Sequence, residues 1–174
     1  DLPVAAPSGN TSGRPSPTTA AHMLEDMDGK IDAIVDGGPC QVGVESTIVD
    51  LTLTPPRLLR PGGITLEQLR SVLGEVEVDP AVTRLMGEGE HPRAPGMKYR
   101  HYAPKAPVTV VKGRGGDSAR YIRRHIGDSD GVICFNEFVP LFEGHPVEPI
   151  GPAADRAGQA RRIFGALRYF DGTG

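Results

Sequence analysis

The sequence predicts an α/β protein in two parts, because two different patterns of strands and helices follow each other along the chain. Up to about residue 79, short β-branched runs alternate with turns and helix-like segments, which predicts a mixed α/β unit with hairpin-like turns rather than regular βαβ crossovers. After Pro107 strands and helices alternate regularly, which is typical of a parallel, Rossmann-like sheet. Residues 80–106 are rich in proline and predict a linker. The predicted domains are therefore 1–79, 80–106 and 107–174.

Composition excludes several classes of protein. A hydrophobic content of 38% and a charged content of 24% suit a globular domain rather than a disordered chain. A formal net charge of -3 argues against a general nucleic-acid-binding surface, so any basic patch must be local. No apolar run approaches the length of a membrane span. Two distant cysteines without metal-type spacing fit a reducing compartment, and we expect a cytoplasmic protein.

The first part carries two predicted helices. Apolar residues recur at helical spacing up to Met27, with Ser16 and Pro17 as the predicted N-cap and first helical residue. Thr65 and Gln68 predict a capping box at the start of the second helix. The buried face of that helix is predicted from its apolar residues, which are Leu66, Leu69, Val72 and Leu73. Strands are predicted over residues 2–6, 31–35, 48–51, 57–60 and 75–78.

The second part is predicted to contain strands over 108–111, 131–135 and 147–150. Helices are predicted over 117–126 and 153–170. The first of these strands is not followed by a Gly-x-Gly-x-x-Gly loop, so we assign no dinucleotide to this domain.

The loop from Ser8 to Ser16 is a candidate phosphate site. Its glycines and small hydroxyl residues let a backbone approach a ligand while still offering hydrogen-bond donors. A strand, such a loop and a helix N-terminus together would favour an anion, because unpaired N–H groups and the helix dipole both attract negative charge. The alternative is an ordinary surface turn, since these residue types mark loops in general.

A local basic stretch lies at residues 94–105, which hold three basic residues, two tyrosines and no acidic residue. One interpretation is a solvated interdomain linker. The other is a segment that lies over an anionic ligand, in which Lys98 and Arg100 bind phosphate and a tyrosine packs on a flat ring.

No set of side chains predicts a protein nucleophile or a protein-bound metal. Ser46 lies beside Glu45 without a histidine nearby in sequence, and no cluster has metal-ligand spacing. Positioning and charge neutralisation, as in nucleotidyl transfer, need phosphate-binding donors but no nucleophile, and Mg²⁺ would enter with the nucleotide. Phosphate-binding residue types occur in the Ser8–Ser16 loop, at Arg60–Gly63, and at Lys98 with Arg100.

Four motifs occur together in the order and spacing of the Sua5/YrdC family. They are Pro-Ser-Gly-Asn-Thr-Ser-Gly at 7–13, the segment 38–50 with Gly-Val-Glu-Ser-Thr-Ile-Val-Asp, Arg-Pro-Gly at 60–62, and Pro-Gly-Met-Lys-Tyr-Arg-His-Tyr-Ala-Pro at 95–104. The chain therefore resembles the two-domain, Sua5-type threonylcarbamoyl-AMP synthases. The resemblance implies that 1–79 is the C-terminal part of a YrdC-like catalytic domain, 80–106 a lid over the active site, and 107–174 an incomplete Sua5-type domain.

The resemblance implies an enzyme that forms threonylcarbamoyl-AMP and pyrophosphate from ATP, L-threonine and bicarbonate. The threonine amine would take up CO₂ as a carbamate, which would then attack the α-phosphorus. The product would pass to the transferase machinery that makes N6-threonylcarbamoyladenosine (t6A) in tRNA, with a possible weak RNA contact and no membrane partner.

The resemblance also implies roles for individual residues. Ser46 would contact threonine, and Lys98, Arg100 and His101 would belong to the lid. The residues implied to bind ATP are Ala6, Ser8, Asn10, Ser16, Arg60 and Tyr102.

The sequence departs from the family pattern in two ways. Gly9 stands where the family usually has alanine, which keeps the loop small. The family's N-terminal half, with its Lys-x-Arg basic strand, is missing, and the Sua5-type domain stops soon after residue 170. We therefore expect that this chain alone does not turn over ATP, threonine and bicarbonate.

Three other interpretations stay open at this point. One is a YrdC-like carbamoyl-transfer module of hydrogenase maturation, against which the motif at 95–104 and the α/β tail argue. Another is a non-catalytic RNA-binding module, which would bind tRNA in a salt-sensitive way without nucleotide, although the overall acidity argues against it. The last is an α/β binding protein with a proline-rich linker.

Overall fold

A computed structural model of the chain describes residues 2–5, 7–11, 13–83 and 103–172. These residues form two compact units, which we describe separately. Unit 1 contains the described residues within 1–16 and 44–103, and unit 2 those within 17–43 and 104–174. Both units are therefore discontinuous in sequence. The domain boundaries after residues 79 and 106 follow the sequence pattern and stay a prediction.

The secondary structure of the described residues is mixed α/β, as predicted. The strands are β1 (Ile48–Asp50), β2 (Arg57–Arg60), β3 (Glu77–Val78), β4 (Val132–Cys134) and β5 (Val147–Pro149). The helices are α1 (Ala20–Met27), α2 (Leu66–Leu73), α3 (Pro80–Thr83), α4 (Gly115–His125) and α5 (Arg156–Gly172), with a 3-10 helix over Asn136–Phe142. Within the described ranges, no helix combines the length and the apolar character needed to cross a bilayer.

Unit 1 is built on a three-stranded sheet in the order β1-β2-β3. Strands β1 and β2 pair antiparallel, as predicted for hairpin-like turns. Strands β2 and β3 pair in parallel and are connected through α2, so the prediction that this part lacks a βαβ crossover is wrong. The buried side chains Leu58, Leu59 and Val76 form the interior of the unit.

Helix α2 is fixed by its cap rather than by burial. The Gln68 amide donates to Thr65 Oγ1 at 3.3 Å and the Thr65 amide donates to Gln68 Oε1 at 2.8 Å, which confirms the predicted capping box. None of the residues of α2 is buried, and Val72 is 82% exposed. The predicted buried face of this helix is therefore wrong for the described structure.

Unit 2 contains a two-stranded parallel sheet, in which β4 pairs with β5. The parallel pairing confirms the type of sheet predicted for the C-terminal part. The interior is formed by Ala119 of α4, Val132 of β4 and Phe142, all of which are buried. Ala119 and Val132 lie in predicted elements, whereas the 3-10 helix that carries Phe142 is not among the elements predicted from the sequence.

Three predicted strands are not strands in the structure. Residues 2–5, 31–35 and 108–111 are irregular, and Val35 and Val110 are 95% and 72% exposed. In the described part of the chain no neighbouring strand pairs with these segments, and β-branched residues favour a strand only where a partner and a packed face exist.

The first helix begins later than predicted. Helix α1 starts at Ala20, and its N-cap is Thr19, whose hydroxyl accepts from the His22 amide at 3.2 Å. Ser16 and Pro17 are therefore not its N-cap and first residue. The hydroxyl of Ser16 instead bonds to side chains of unit 1, as described below.

A buried ion pair joins α1 to α5 within unit 2. Arg168 Nη2 lies 2.5 Å from Asp26 Oδ2, and the two side chains are 1% and 0% exposed. Arg168 Nη1 is 3.3 Å from both Asp26 Oδ1 and Glu25 Oε2. The planar guanidinium thus meets the carboxylate with two donors, which is the geometry that arginine favours.

Both cysteines are free thiols in this structure. Cys40 is exposed, whereas Cys134 at the end of β4 is half-buried. Burial raises the pKa of the Cys134 thiol, because the charged thiolate is disfavoured away from water.

Replacing Arg168 with methionine tests the buried ion pair. We expect a loss of about 3–5 kcal/mol in the free energy of unfolding, because Asp26 would keep a buried charge without its main partner. Chemical denaturation measures this loss. The matched control is Asp117→Asn, which breaks the ion pair with Arg120 on α4, whose side chains are 62% and 64% exposed. That change should cost at most about 1 kcal/mol, and equal losses in the two variants would contradict the buried pair.

Candidate active site

The candidate site starts from a close backbone contact at Gly62. A Cβ atom at this position would lie 2.3 Å from Glu45 O, 2.5 Å from Ser46 C and 2.6 Å from Thr47 N. All three are backbone atoms, which cannot move aside as a flexible side chain could. The adjacent Gly63 amide donates to Glu45 O at 2.9 Å. Only glycine therefore lets the turn after β2 rest directly on residues 45–47.

Thr47 closes the same contact from the other end. Its Oγ1 donates to Ile64 O at 2.6 Å and accepts from the Ile64 amide at 3.0 Å. Ile48, the next residue, pairs with Arg60 across β1 and β2. The segment before β1 is therefore held in register with the turn that follows β2.

This register brings Arg60 to Ser46. Arg60 Nε donates to Ser46 O at 3.1 Å, and Arg60 Nη2 donates to Ser46 Oγ at 3.0 Å. Arg60 Nη2 also lies 3.8 Å from Glu45 Oε2, and the Arg60 and Glu45 side chains are only 13% and 14% exposed. Two residues predicted from the family motifs are thus in direct contact.

Ser16 and Asn10 lie at the other side of Glu45. Ser16 Oγ donates to Glu45 Oε1 and lies 3.2 Å from Asn10 Oδ1. The amide nitrogen of Asn10 donates to Thr11 O and Arg14 O, both at 3.2 Å. The predicted residues Asn10, Ser16, Ser46 and Arg60 are therefore linked through Glu45. We call these five residues the Glu45 cluster.

Glu45 is the functional candidate that the sequence analysis did not include. It lies within the motif at 38–50, next to Ser46, but nothing in its sequence context separates it from a surface glutamate. Its role becomes visible only because its mostly buried carboxylate contacts residues distant in sequence.

The Glu45 cluster combines one guanidinium, one carboxylate and neutral hydroxyl and amide groups. The opposite charges of Arg60 and Glu45 offset each other, and each is also in contact with a serine. Such a site offers both donors and acceptors to a ligand. Among the residues that the structure describes, no group of three or more His, Cys, Asp or Glu side chains is placed to hold a metal ion.

The structure brings together only part of the predicted site. Ser8 is exposed, and no hydrogen bond between described residues links it to the Glu45 cluster. The loop from Ser8 to Ser16 does not lead directly into a helix, because α1 begins at Ala20, so the predicted cradle at a helix N-terminus is wrong. The predicted residues that lie outside the described ones are Ala6, Lys98, Arg100, His101 and Tyr102.

Two family models match the chain. The model described as "Threonylcarbamoyl-AMP synthase, C-terminal domain" matches residues 64–174. The Sua5/YciO/YrdC model, described as "Telomere recombination", matches residues 1–62 and so includes all five residues of the Glu45 cluster.

The chain is similar to curated proteins named threonylcarbamoyl-AMP synthase. It is 46% identical to that of Pyrococcus abyssi, covering 100% of this chain and 51% of the relative. It is 43% identical to that of Bacillus subtilis, covering 98% of this chain and 49% of the relative. The chain thus spans about half the length of these relatives. Their names do not support the hydrogenase-maturation or RNA-binding interpretations.

Two solved structures of P. abyssi Sua5 also match the fold of this chain. The crystal structure of P. abyssi Sua5 complexed with L-threonine matches with a TM-score of 0.84 and 43% identity, over 97% of this chain and 49% of that chain. A P. abyssi Sua5 variant, in which an adjacent histidine and tyrosine are replaced by alanine, matches with a TM-score of 0.84.

Replacing Gly62 with alanine tests the close contact that builds the site. We expect the free energy of unfolding to fall by about 1–3 kcal/mol, because the new methyl group would overlap the backbone at residues 45–47. Amide hydrogen exchange at Gly63 should also become faster, since its bond to Glu45 O would be strained. The control is Gly37→Ala, where nothing lies within 4 Å of the added carbon. Equal stability of the two variants would contradict the contact.

Proposed function

Because the chain belongs to the Sua5 family of threonylcarbamoyl-AMP synthases, we propose that it contributes a site for ATP and L-threonine to an enzyme of that activity. The enzyme would form threonylcarbamoyl-AMP and pyrophosphate from ATP, L-threonine and bicarbonate. The observation that carries the proposal is the series of contacts in which Glu45 joins Ser16, and through it Asn10, to Arg60, which in turn bonds to Ser46.

Arg60 would bind the phosphates of ATP. Its side chain is mostly buried and is oriented by two hydrogen bonds to Ser46, so it would not need to reorganise when substrate binds. A fixed guanidinium stabilises the charge that develops on phosphate oxygens in the transition state. Mg²⁺ would enter with ATP as part of the substrate.

Ser46 would contact L-threonine. Its hydroxyl lies 3.0 Å from Arg60 Nη2, which would bring the amino acid close to the phosphates. The relative from P. abyssi was crystallised with L-threonine, which supports a threonine site in this family. Proximity of the two substrates is the main requirement of such a transfer, because no protein nucleophile takes part.

The proposed reaction has two balanced steps. Bicarbonate and the amine of threonine form a carbamate with loss of water. A carbamate oxygen then attacks the α-phosphorus of ATP, and the bond between the α-phosphorus and the bridging oxygen breaks to release pyrophosphate. The role of the protein is to orient the reactants, neutralise phosphate charge and exclude water from the mixed anhydride.

The remaining residues of the proposed site complete the ATP pocket. Ala6 and Ser8 would line the nucleotide, while Lys98, Arg100 and His101 would form a lid from which Tyr102 contacts ATP. In the solved P. abyssi Sua5 variant, an adjacent histidine and tyrosine are replaced by alanine. This chain contains one His-Tyr pair, at 101–102.

The product would be used in the cytoplasm. An acyl-adenylate of this kind is hydrolysable, so it would pass directly to a transferase that modifies adenosine in tRNA to t6A. Any contact of this chain with RNA would be weak, because its formal net charge is -3.

Isothermal titration of ATP into the chain and into Arg60→Ala tests the proposed function. We expect the substitution to weaken ATP binding by about 10- to 100-fold, because hydrogen bonds to a charged group are lost. The matched control is Arg57→Ala on the same strand, since Arg57 pairs with Glu77 at 2.8 Å and lies outside the Glu45 cluster.

The control variant should bind ATP within about twofold of the unsubstituted chain. Circular dichroism melts establish that both variants are folded at the temperature of the titration. Unchanged affinity in Arg60→Ala, or no ATP binding by the unsubstituted chain, would contradict the proposed function.

A further inference from the structure

We propose that Glu45 is a positioning residue that turns Ser16 into a hydrogen-bond acceptor towards ATP. The Ser16 side of the site would then bind a donor group of the nucleoside, rather than a phosphate. This inference rests on the proposed function and adds to it both a residue and an orientation for the nucleotide.

The hydroxyl of Ser16 has a single hydrogen but two acceptor oxygens within reach. One is Glu45 Oε1, and the other is Asn10 Oδ1 at 3.2 Å. Hydrogen bonds to a carboxylate are roughly twice as strong as those between neutral groups. The hydrogen of Ser16 is therefore committed to Glu45, and its oxygen has only lone pairs left for a ligand.

Asn10 presents a second acceptor at the same place. Its amide nitrogen donates to the carbonyl oxygens of Thr11 and Arg14, both at 3.2 Å, and this fixes the orientation of the side chain. Asn10 Oδ1 consequently faces Ser16 Oγ. Two acceptor oxygens 3.2 Å apart, backed by a carboxylate, suit an N–H or O–H donor and would repel a phosphate oxygen.

The opposite side of the Glu45 cluster has the reverse polarity. Arg60 carries only donors, and its Nη2 lies 3.8 Å from Glu45 Oε2 and 3.0 Å from Ser46 Oγ. The triphosphate of ATP would therefore lie towards Arg60. The donors of ATP are its two ribose hydroxyls and its 6-amino group, and one of these would meet Ser16 and Asn10.

Glu45 itself is held firmly enough to impose this polarity. Its backbone oxygen accepts from the Gly63 amide at 2.9 Å, and the Gly62 backbone lies directly against it. Its side chain is 14% exposed, so the carboxylate has little room to turn into water. A preorganised acceptor of this kind binds a donor more tightly than a flexible one, because fewer rotamers are lost on binding.

Calorimetric titration with ATP analogues tests the inference on the 174-residue chain. The analogues are 2′-deoxy-ATP, 3′-deoxy-ATP and purine riboside triphosphate, each of which lacks one donor. We expect one of them to bind about tenfold more weakly than ATP to the unsubstituted chain. Glu45→Gln and Ser16→Ala should each bind that analogue and ATP with equal affinity.

The affinity for inorganic tripolyphosphate distinguishes a positioning role of Glu45 from a merely structural one. A structural role would lower this affinity in Glu45→Gln, whereas a positioning role would not. We expect Glu45→Gln to bind tripolyphosphate no more weakly than the unsubstituted chain does, because Arg60 keeps its bonds to Ser46 and loses only a neighbouring negative charge. The double variant Ser16→Ala/Glu45→Gln should lose no more ATP affinity than either single variant, because Glu45 acts through Ser16.

Several results would overturn the inference alone. These are equal binding of all analogues by the unsubstituted chain, a parallel loss of ATP and tripolyphosphate affinity in Glu45→Gln, or additive losses in the double variant. If Glu45→Gln does not fold, the analogue preference of Ser16→Ala decides instead, and a retained preference would overturn the inference. No ATP binding by the unsubstituted chain would contradict the proposed function as well.

Discussion

The candidate site depends on one steric constraint, the absence of a side chain at Gly62. Without a Cβ atom, the turn after β2 lies against the backbone of residues 45–47, at distances that no other residue would allow. The hydrogen bonds from Gly63 to Glu45 and between Thr47 and Ile64 then fix the register. Because the two backbone segments are in contact, Arg60 at the end of β2 reaches Glu45 and Ser46, which precede β1.

The charges of the site are arranged around that backbone contact. Arg60 and Glu45 are both mostly buried, which would be unfavourable for either charge alone. Their mutual attraction and their bonds to Ser46 and Ser16 compensate for the lost water. The same solution recurs in unit 2, where Arg168 and Asp26 are buried together. In the Glu45 cluster, however, the partners also leave donors on one side and acceptors on the other, which gives the site a direction.

The sequence predicts those features that are encoded locally. The capping box of Thr65 and Gln68, strand β2 and the parallel pairing of the C-terminal strands all follow from residue type and spacing. The sequence pattern does not predict features that depend on residues distant along the chain. Residues 108–111 have β-branched side chains but no paired neighbour within the described chain, and the apolar residues of α2 stay unburied. Family motifs predicted Arg60 and Ser46, whereas Glu45 required its contact with Ser16 to be seen.

The proposed function requires Ser16, Glu45 and Arg60 to form one binding site for ATP. Nuclear magnetic resonance of the amide-labelled chain during an ATP titration tests it most directly. We expect the amide signals of Ser16, Ser46 and Gly63 to shift together along one saturation curve. The amide signal of Glu77, which pairs with Arg57 at the other end of β2, should not move. Shifts that follow separate curves, or that leave these three amides unchanged while ATP binds elsewhere, would contradict it.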